Sequence, residues 1–156
     1  MAKILIIMGS GKDLDFAKEI EKIVKDFGVQ CELRVASAHK TPGKVTKIIE
    51  ENEEKEIVYI TVAGRSNALS GFVDANTTGP VIAAPPYSDK YGGIDVFSSL
   101  RMPSGVAPMV VLGAEQAALA AVKILALGEE NLKKKISEYQ EDYKQKIERE
   151  DKKING

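Results

Sequence analysis

Two runs, residues 4–8, which are all apolar, and residues 57–62, which are the strongest strand signal in the chain, constrain the fold more than any other feature of this sequence. Both are short and rich in β-branched residues, and both stop at a polar loop that contains glycine. Such runs are typical of strands that are buried on both faces of a parallel sheet. Apolar residues then recur at helical spacing from Leu14 to Phe27, and Gly28 supplies a left-handed stop. The sequence therefore begins as a strand followed by a helix.

Weaker patterns continue this alternation to residue 127. Further strands are predicted at residues 31–35, 81–83 and 109–112. Further helices are predicted from Pro42, near residues 69–76 and over residues 114–127. Parallel strands joined by helices require right-handed crossovers. We therefore predict an α/β fold with a three-layer, doubly wound parallel sheet that binds ligands at the carboxyl ends of its strands.

The last segment changes character, because acidic and basic residues alternate in equal number over residues 129–153. Its apolar residues step by three or four and are Leu132, Ile136, Tyr139, Tyr143 and Ile147. This spacing predicts an amphipathic helix that docks on its own domain or on a neighbouring subunit, and the cancelling charges argue against a membrane helix. We therefore predict a single domain, 1–156, with an α/β core over 1–128 and a C-terminal assembly helix over 129–156.

Composition excludes several classes of partner. The 156 residues include 22 basic and 23 acidic side chains, so no global positive charge is present to hold nucleic acid or an anionic membrane. The single cysteine, Cys31, forms neither an intrachain disulfide nor a thiolate zinc site by itself, which favours a reducing, cytoplasmic compartment. No metal-ligand spacing, signal peptide or membrane span is found in the sequence. We expect a protein without a metal, a nucleic-acid partner or a membrane.

The first loop, residues 9–13, joins the first strand to the first helix and has the sequence Gly-Ser-Gly-Lys-Asp. Backbone N–H groups and the helix dipole favour an anion at such a junction, and phosphate is the natural ligand. The dinucleotide pattern fails because Leu14 stands where it needs glycine, and the Walker pattern fails at Asp13. A purely structural alternative is a capping box, in which Ser10 is the cap and Asp13 reaches back.

The second loop, residues 37–41, contains His39, the only histidine of the chain. Imidazole is the side chain that exchanges a proton near neutral pH, so general acid–base chemistry falls to this residue. The alternative is a surface or capping histidine, but the loop follows a predicted strand at the edge where ligands bind. Lys40 either pairs with a phosphate or is solvated. No acid is tied to His39 by spacing, so a hydrolase triad is poorly supported.

Two more polar loops follow. The third loop, residues 63–67, includes Gly64, where the backbone can approach a ligand closely, and Arg65, which either clamps an anion or binds a neighbouring loop. The fourth loop, residues 98–105, contains a proline and ends in glycine, and its alternative interpretation is a subunit contact. The sequence thus predicts several polar loops that lie at one edge of the sheet.

The four loops, with Met8 before the first, together resemble the aminoimidazole ribonucleotide (AIR) carboxylase/mutase family of purine biosynthesis. The resemblance spans residues 3 to about 127, and residues 151–154 are also similar to the carboxylase branch. It implies a flavodoxin-like sheet in a homo-octamer whose sites lie at subunit contacts. It also implies a ribonucleotide and carbon dioxide as the small-molecule partners, with no metal, nucleotide or organic cofactor.

The resemblance further implies roles for single residues. His39 would be the catalytic, proton-transferring residue. The substrate-binding residues would be Ser10 and Asp13 at the ribose phosphate end, Ser37 and Lys40 at the phosphate, and Gly64 and Ser66 around carbon dioxide and the new carboxylate. Each of these residues stands at a position that matches a motif of the family.

Three departures from the mutase branch favour a carboxylase. Mutases typically have serine, arginine and histidine at the positions of Lys12, Lys40 and Ala68. We therefore expect a carboxy-lyase that carboxylates AIR reversibly with carbon dioxide and without ATP, the alternative being an N5-carboxyaminoimidazole ribonucleotide mutase, an intramolecular transferase. On the residues alone, a phosphosugar isomerase or a flavodoxin-like binding module stays open. A receiver module would need acidic residues after the first strand, and residues 7–9 offer none.

Overall fold

Five parallel strands form one sheet in the computed structural model, which describes residues 2–53 and 56–155. The strands are β1 (Lys3–Met8), β2 (Gln30–Val35), β3 (Ile57–Val62), β4 (Val81–Ala83) and β5 (Met109–Val110). The helices are α1 (Leu14–Asp26), α2 (Pro42–Glu50), α3 (Ala68–Asp74), α4 (Ala114–Leu125) and α5 (Glu130–Asn155). The strand order is β2-β1-β3-β4-β5, which is the flavodoxin-like order. The predicted three-layer α/β fold is confirmed.

The central strands separate two apolar layers. All six residues of β1 and of β3 are buried, which the predicted runs 4–8 and 57–62 account for except at Lys3. Because successive side chains of a strand point to opposite faces, Ile4 and Ile6 pack with α1 and α4, whereas Leu5 and Ile7 pack with α2 and α3. The core therefore lies on both sides of the sheet, and the carboxyl ends of the strands remain available to loops.

The helix boundaries follow the local signals in the sequence. Gly28 has a φ of +78° just beyond α1, a conformation that glycine adopts without a steric cost. Pro42 occupies the first turn of α2, where its missing N–H and fixed φ are tolerated. Both ends agree with the predicted helices to within two residues. Pro42 therefore marks the end of the loop that follows β2, whereas Gly28 turns the chain from α1 into β2.

The amino-terminal half of α5 packs on its own domain. Leu132 and Ile136 are buried in the layer that contains α1 and α4. Tyr139 stacks at a tilt on Phe27, with ring centroids 5.1 Å apart, and Lys135 Nζ donates a 2.7 Å hydrogen bond to the carbonyl oxygen of Phe27. Residues 140–155 are all exposed. The predicted amphipathic helix is present, and its docking on its own domain accounts for the first part of its apolar stripe.

Two regions differ from the pattern expected from sequence. The last strand covers Met109–Val110 rather than residues 109–112, and Leu112 is exposed. A 3-10 helical segment, Lys90–Ser99, was not predicted, and left-handed residues including Tyr91 interrupt it. Its weak helical periodicity explains why the pattern gave no signal.

No helix within the described residues is both long and apolar enough to cross a membrane.

Candidate functional site

A cavity of about 570 Å³ lies at the carboxyl edge of the sheet. It is lined by the loops that follow β1, β2, β3 and β4, around the point where the strand order reverses between β1 and β3. This is the position at which doubly wound sheets bind ligands. The cavity brings together all the residues that the sequence predicts for the site: Ser10, Asp13, Ser37, His39, Lys40, Gly64 and Ser66.

The first loop is held by backbone bonds to the sheet. The Gly9 N–H donates to the carbonyl oxygen of Val62 at 3.0 Å, which ties the loop to β3. Ser10 Oγ accepts a 3.3 Å hydrogen bond from the Lys12 N–H and so caps the 3-10 turn Gly11–Asp13. Asp13 makes no side-chain capping bond to α1. Partial burial raises the pKa of the Asp13 carboxyl above its ordinary value, because desolvation disfavours the charged form.

The second loop is closed by Thr41. The Ser37 N–H donates to Thr41 Oγ1 at 2.9 Å, and the Thr41 N–H donates back to the Ser37 carbonyl at 2.8 Å. Inside this turn the His39 imidazole is exposed to the cavity, and the part of the chain that the structure describes offers it no hydrogen-bonding partner. Lys40 is also exposed and lines the cavity. The loop therefore fixes its backbone and leaves both side chains available to a ligand.

The third loop is fastened to the segment Lys90–Ser99. Arg65 has a φ of +61° and donates its N–H to Asp95 Oδ2 at 3.0 Å. Ser98 Oγ lies 2.9 Å from the carbonyl oxygen of Arg65 and accepts a 3.0 Å hydrogen bond from the Asn67 N–H. The buried Asn67 side chain donates to Ser99 Oγ at 2.9 Å. The Arg65 backbone thus binds a neighbouring segment, which is one of the two alternatives predicted for this residue. Arg65 also lines the cavity.

The fourth loop was expected to lie with the other three at the edge of the sheet, but it does not line the cavity. Among the described residues around the cavity, none comes from 98–105. Ser98 and Ser99 instead turn their hydroxyls to the third loop. The alternative interpretation of this loop, a subunit contact, stays a prediction.

Sequence reasoning missed two parts of the lining. One is the loop after β4, which contributes Pro86, Tyr87, Ser88 and Lys90. A proline pair directly after a short apolar run was the available signal, since loops at carboxyl strand ends meet at one edge. The other is Asp95, for which the sequence carries no signal because it lies in the unpredicted 3-10 segment.

Charge at the cavity favours an anionic ligand. The cationic side chains in the lining are Lys12, Lys40, Arg65 and Lys90, and the carboxylates are Asp13 and Asp95. A local excess of positive charge attracts phosphate even though the chain as a whole is nearly neutral. Among residues 2–53 and 56–155, no group of three or more His, Cys, Asp or Glu side chains is arranged to hold a metal.

Comparison with known proteins finds relatives that belong to one enzyme family. The family model described as AIR carboxylase matches residues 3–146. The chain is 61% identical to a phosphoribosylaminoimidazole carboxylase of Archaeoglobus fulgidus over 93% of this chain and 81% of that protein. It is 44% identical to an N5-carboxyaminoimidazole ribonucleotide mutase of Methanocaldococcus jannaschii over 97% of this chain and 96% of the relative. The crystal structure of Treponema denticola PurE superposes with a TM-score of 0.95 at 43% identity, covering 98% of each chain.

Proposed function

The chain belongs to the AIR carboxylase family, and on that basis we propose that it carboxylates 5-aminoimidazole ribonucleotide with carbon dioxide. The product is 4-carboxy-5-aminoimidazole ribonucleotide, an intermediate of de novo purine biosynthesis, and the reaction is reversible and needs no ATP. The observation that carries the proposal is that one cavity is lined by the first, second and third loops and by the single histidine of the chain. No further cofactor enters the mechanism.

The phosphate end of the nucleotide binds between the first and second loops. Ser10 and Ser37 offer hydroxyl groups at neighbouring strand ends, and Lys40 adds a positive charge. Backbone N–H groups at the start of the 3-10 turn and α1 reinforce this attraction. Asp13 accepts hydrogen bonds from the ribose hydroxyls. These contacts hold the imidazole ring in the middle of the cavity, so that the reaction has the geometry of an intramolecular step.

The reacting atoms lie between His39 and the third loop. AIR is an enamine, so its ring carbon attacks the carbon of carbon dioxide, forming a carbon–carbon bond and leaving a carboxylate. That ring carbon is then tetrahedral and still carries its hydrogen. His39 removes the proton and the electron pair returns to the ring, which restores its aromaticity. In the reverse direction the same imidazole returns the proton. General acid–base catalysis of this kind contributes about 10²–10⁴-fold.

The third loop receives carbon dioxide and the new carboxylate. Gly64 and Ser66 line the cavity beside β3. In the proposed complex the Ser66 hydroxyl donates to a carboxylate oxygen. Stabilising the charge as it develops is the part of the reaction that a base alone does not supply. Gly64 leaves the backbone accessible on this side.

A second candidate is the N5-carboxyaminoimidazole ribonucleotide mutase, because the relative from Methanocaldococcus jannaschii carries that name. Two positions favour the carboxylase over it. Lys40 stands where mutases typically have arginine, and Ala68 stands where they typically have histidine. Ala68 begins α3 next to the third loop, so this chain places no second imidazole there. Direct use of carbon dioxide follows as the activity of this protein.

Two assays separate these activities. Purified protein is incubated with AIR and labelled bicarbonate without ATP, and acid-stable label is followed; incorporation that rises with dissolved carbon dioxide supports the carboxylase. In the second assay, freshly made N5-carboxyaminoimidazole ribonucleotide is supplied while carbon dioxide is scavenged. Fast conversion to the carbon-carboxylated product would assign the protein to the mutases. Absence of both reactions would overturn both candidates.

Assembly into a homo-octamer in the cytoplasm completes the proposal. Several large apolar side chains between residues 87 and 100 are exposed in the single chain: Tyr87, which lines the cavity, and Tyr91, Ile94, Phe97 and Leu100. An apolar surface of this kind is typical of a subunit interface. Neighbouring copies would cover it and close the cavity against water. Partial burial raises the pKa of the Cys31 thiol to about 12, which disfavours the reactive thiolate.

A further inference from the structure

Arg65 adopts a backbone conformation that its side chain disfavours. Its φ of +61° lies in the left-handed region, where a Cβ atom approaches the following carbonyl oxygen. Glycine would adopt it without strain, and Gly64 is the adjacent residue. Such strain persists only where surrounding contacts hold it in place. The third loop must therefore be held by something other than its own conformational preference.

The holding contacts come from the segment Lys90–Ser99. The Asp95 carboxylate accepts the Arg65 N–H at 3.0 Å, and a hydrogen bond to a charged acceptor is stronger than a neutral one. On the other side of the same residue, Ser98 Oγ lies 2.9 Å from the Arg65 carbonyl oxygen and 2.8 Å from the Asp95 carbonyl oxygen. Because a hydroxyl has one proton, Ser98 donates to one of them at a time. It also accepts the N–H of Asn67 at 3.0 Å.

We infer that Asp95 and Ser98 are positioning residues for the proposed carboxylation, and that they act by holding the left-handed turn at Arg65. This turn lies between Gly64 and Ser66, the two residues proposed to receive carbon dioxide. A relaxation of Arg65 toward negative φ would rotate both neighbouring peptide groups and carry Ser66 out of register with the cavity. The inference rests on the proposed function, since it assigns the turn its part in that reaction.

The test is a double-mutant cycle between positions 95 and 65. Asp95→Ala removes the acceptor, so we expect kcat/KM for AIR carboxylation to fall about tenfold to a hundredfold. Arg65→Gly removes the strain that the acceptor opposes. In the Arg65→Gly background, Asp95→Ala should therefore cost less than about threefold. Asp95→Asn keeps an oxygen acceptor and should stay within about threefold of the parent.

Two controls separate positioning from a general structural loss. Asp89→Ala removes the same charge beside the same segment, at an exposed residue without a side-chain capping bond, and should leave the rate unchanged. The phosphate end of the substrate is bound by other loops, so inhibition by inorganic phosphate should be the same in Asp95→Ala as in the parent. The loss should appear in kcat and in the dependence on carbon dioxide.

Equal losses from Asp95→Ala in the parent and in the Arg65→Gly variant would overturn the inference, because Asp95 would then act on the substrate directly. So would weaker phosphate inhibition in Asp95→Ala. Amide hydrogen exchange supplies a readout without activity: the Arg65 amide should exchange at least about tenfold faster in Asp95→Ala. A parent protein that catalyses neither reaction would overturn the proposed function. An unchanged exchange rate of the Arg65 amide in Asp95→Ala would overturn only the positioning role of Asp95.

Discussion

The Lys40 N–H donates a 3.2 Å hydrogen bond to Ser37 Oγ, so the two residues proposed to hold the substrate phosphate also hold each other. The bond uses one lone pair of the hydroxyl and leaves its proton for a ligand oxygen. It also places the Lys40 side chain on a backbone that is fixed before the ligand arrives. Preorganisation of this kind lowers the ordering cost of binding.

Lys40→Ala should weaken binding of AIR about tenfold to a hundredfold, because the charged partner that we propose for the phosphate is lost. Isothermal titration with a ribonucleotide phosphate measures the change. Lys44→Ala, on the exposed first turn of α2 outside the cavity, is the matched control and should bind normally. Added salt should reduce the difference between the parent and Lys40→Ala. An unchanged affinity for the phosphate, with a reduced affinity for the dephosphorylated nucleoside, would contradict the assignment.

His39→Asn should bind the nucleotide with near-normal affinity and lose about 10²–10⁴-fold in kcat. Asparagine preserves a polar side chain of similar reach but exchanges no proton near neutral pH. Since His39 is exposed and lies in a loop closed by Thr41, the substitution should leave the melting temperature unchanged. Stopped-flow binding and steady-state kinetics together separate the two effects. A variant that turns over at nearly the parent rate would remove His39 from the mechanism.

Asp13→Asn should raise the melting temperature at pH 7 while it weakens substrate binding. Burial raises the pKa of Asp13 in the folded protein, so the charged carboxylate opposes folding at every pH above its titration range. Near pH 3, where the unfolded chain also carries a protonated carboxyl, the difference between the two proteins should vanish. Melting curves at several pH values check this. A parent protein that is the more stable one at pH 7 would show that hydrogen bonds to Asp13 outweigh its desolvation.

Two truncations should behave differently, because α5 is buried in one half and exposed in the other. Removal of everything after Gly128 deletes Leu132 and Ile136 and uncovers the layer beneath them, so the fold should be destabilised by several kcal/mol, about 2–5 for each large side chain. Removal after Lys144 deletes a segment whose described residues are all exposed, and it should keep the melting temperature of the isolated fold.

Light scattering on the truncation after Lys144 then reports on assembly alone. If the exposed half of α5 contributes to the proposed octamer, the truncated protein should dissociate at a higher concentration than the parent. A parent protein that is a stable, active monomer at micromolar concentration would contradict the assembly proposal and the idea that copies complete the cavity.

The sequence predicted the fold wherever burial on both faces dictated the pattern. Ile57–Val62 and Val81–Ala83 have the predicted bounds because short, largely apolar runs rich in β-branched residues favour a strand buried on both faces. The last strand, which begins at Met109, is shorter than expected. The exposed Met109 side chain shows that this edge of the sheet has little to pack against. The three site loops were predictable because parallel strands end at one edge. Asp95 was not, since its contact with Arg65 spans 30 residues and leaves no periodic trace.

The short fifth strand also limits how copies of this chain can meet. β5 has only two residues, and such a short edge presents too few unpaired backbone groups to recruit another strand. At the opposite edge, β2 carries Glu32 and Arg34, which form a 3.1 Å ion pair, and charged side chains there also discourage strand addition. Both edges of the sheet therefore disfavour pairing with a strand of another copy. The proposed assembly would then be joined through side chains of helices and loops, so that single surface substitutions would separate the copies without breaking any strand.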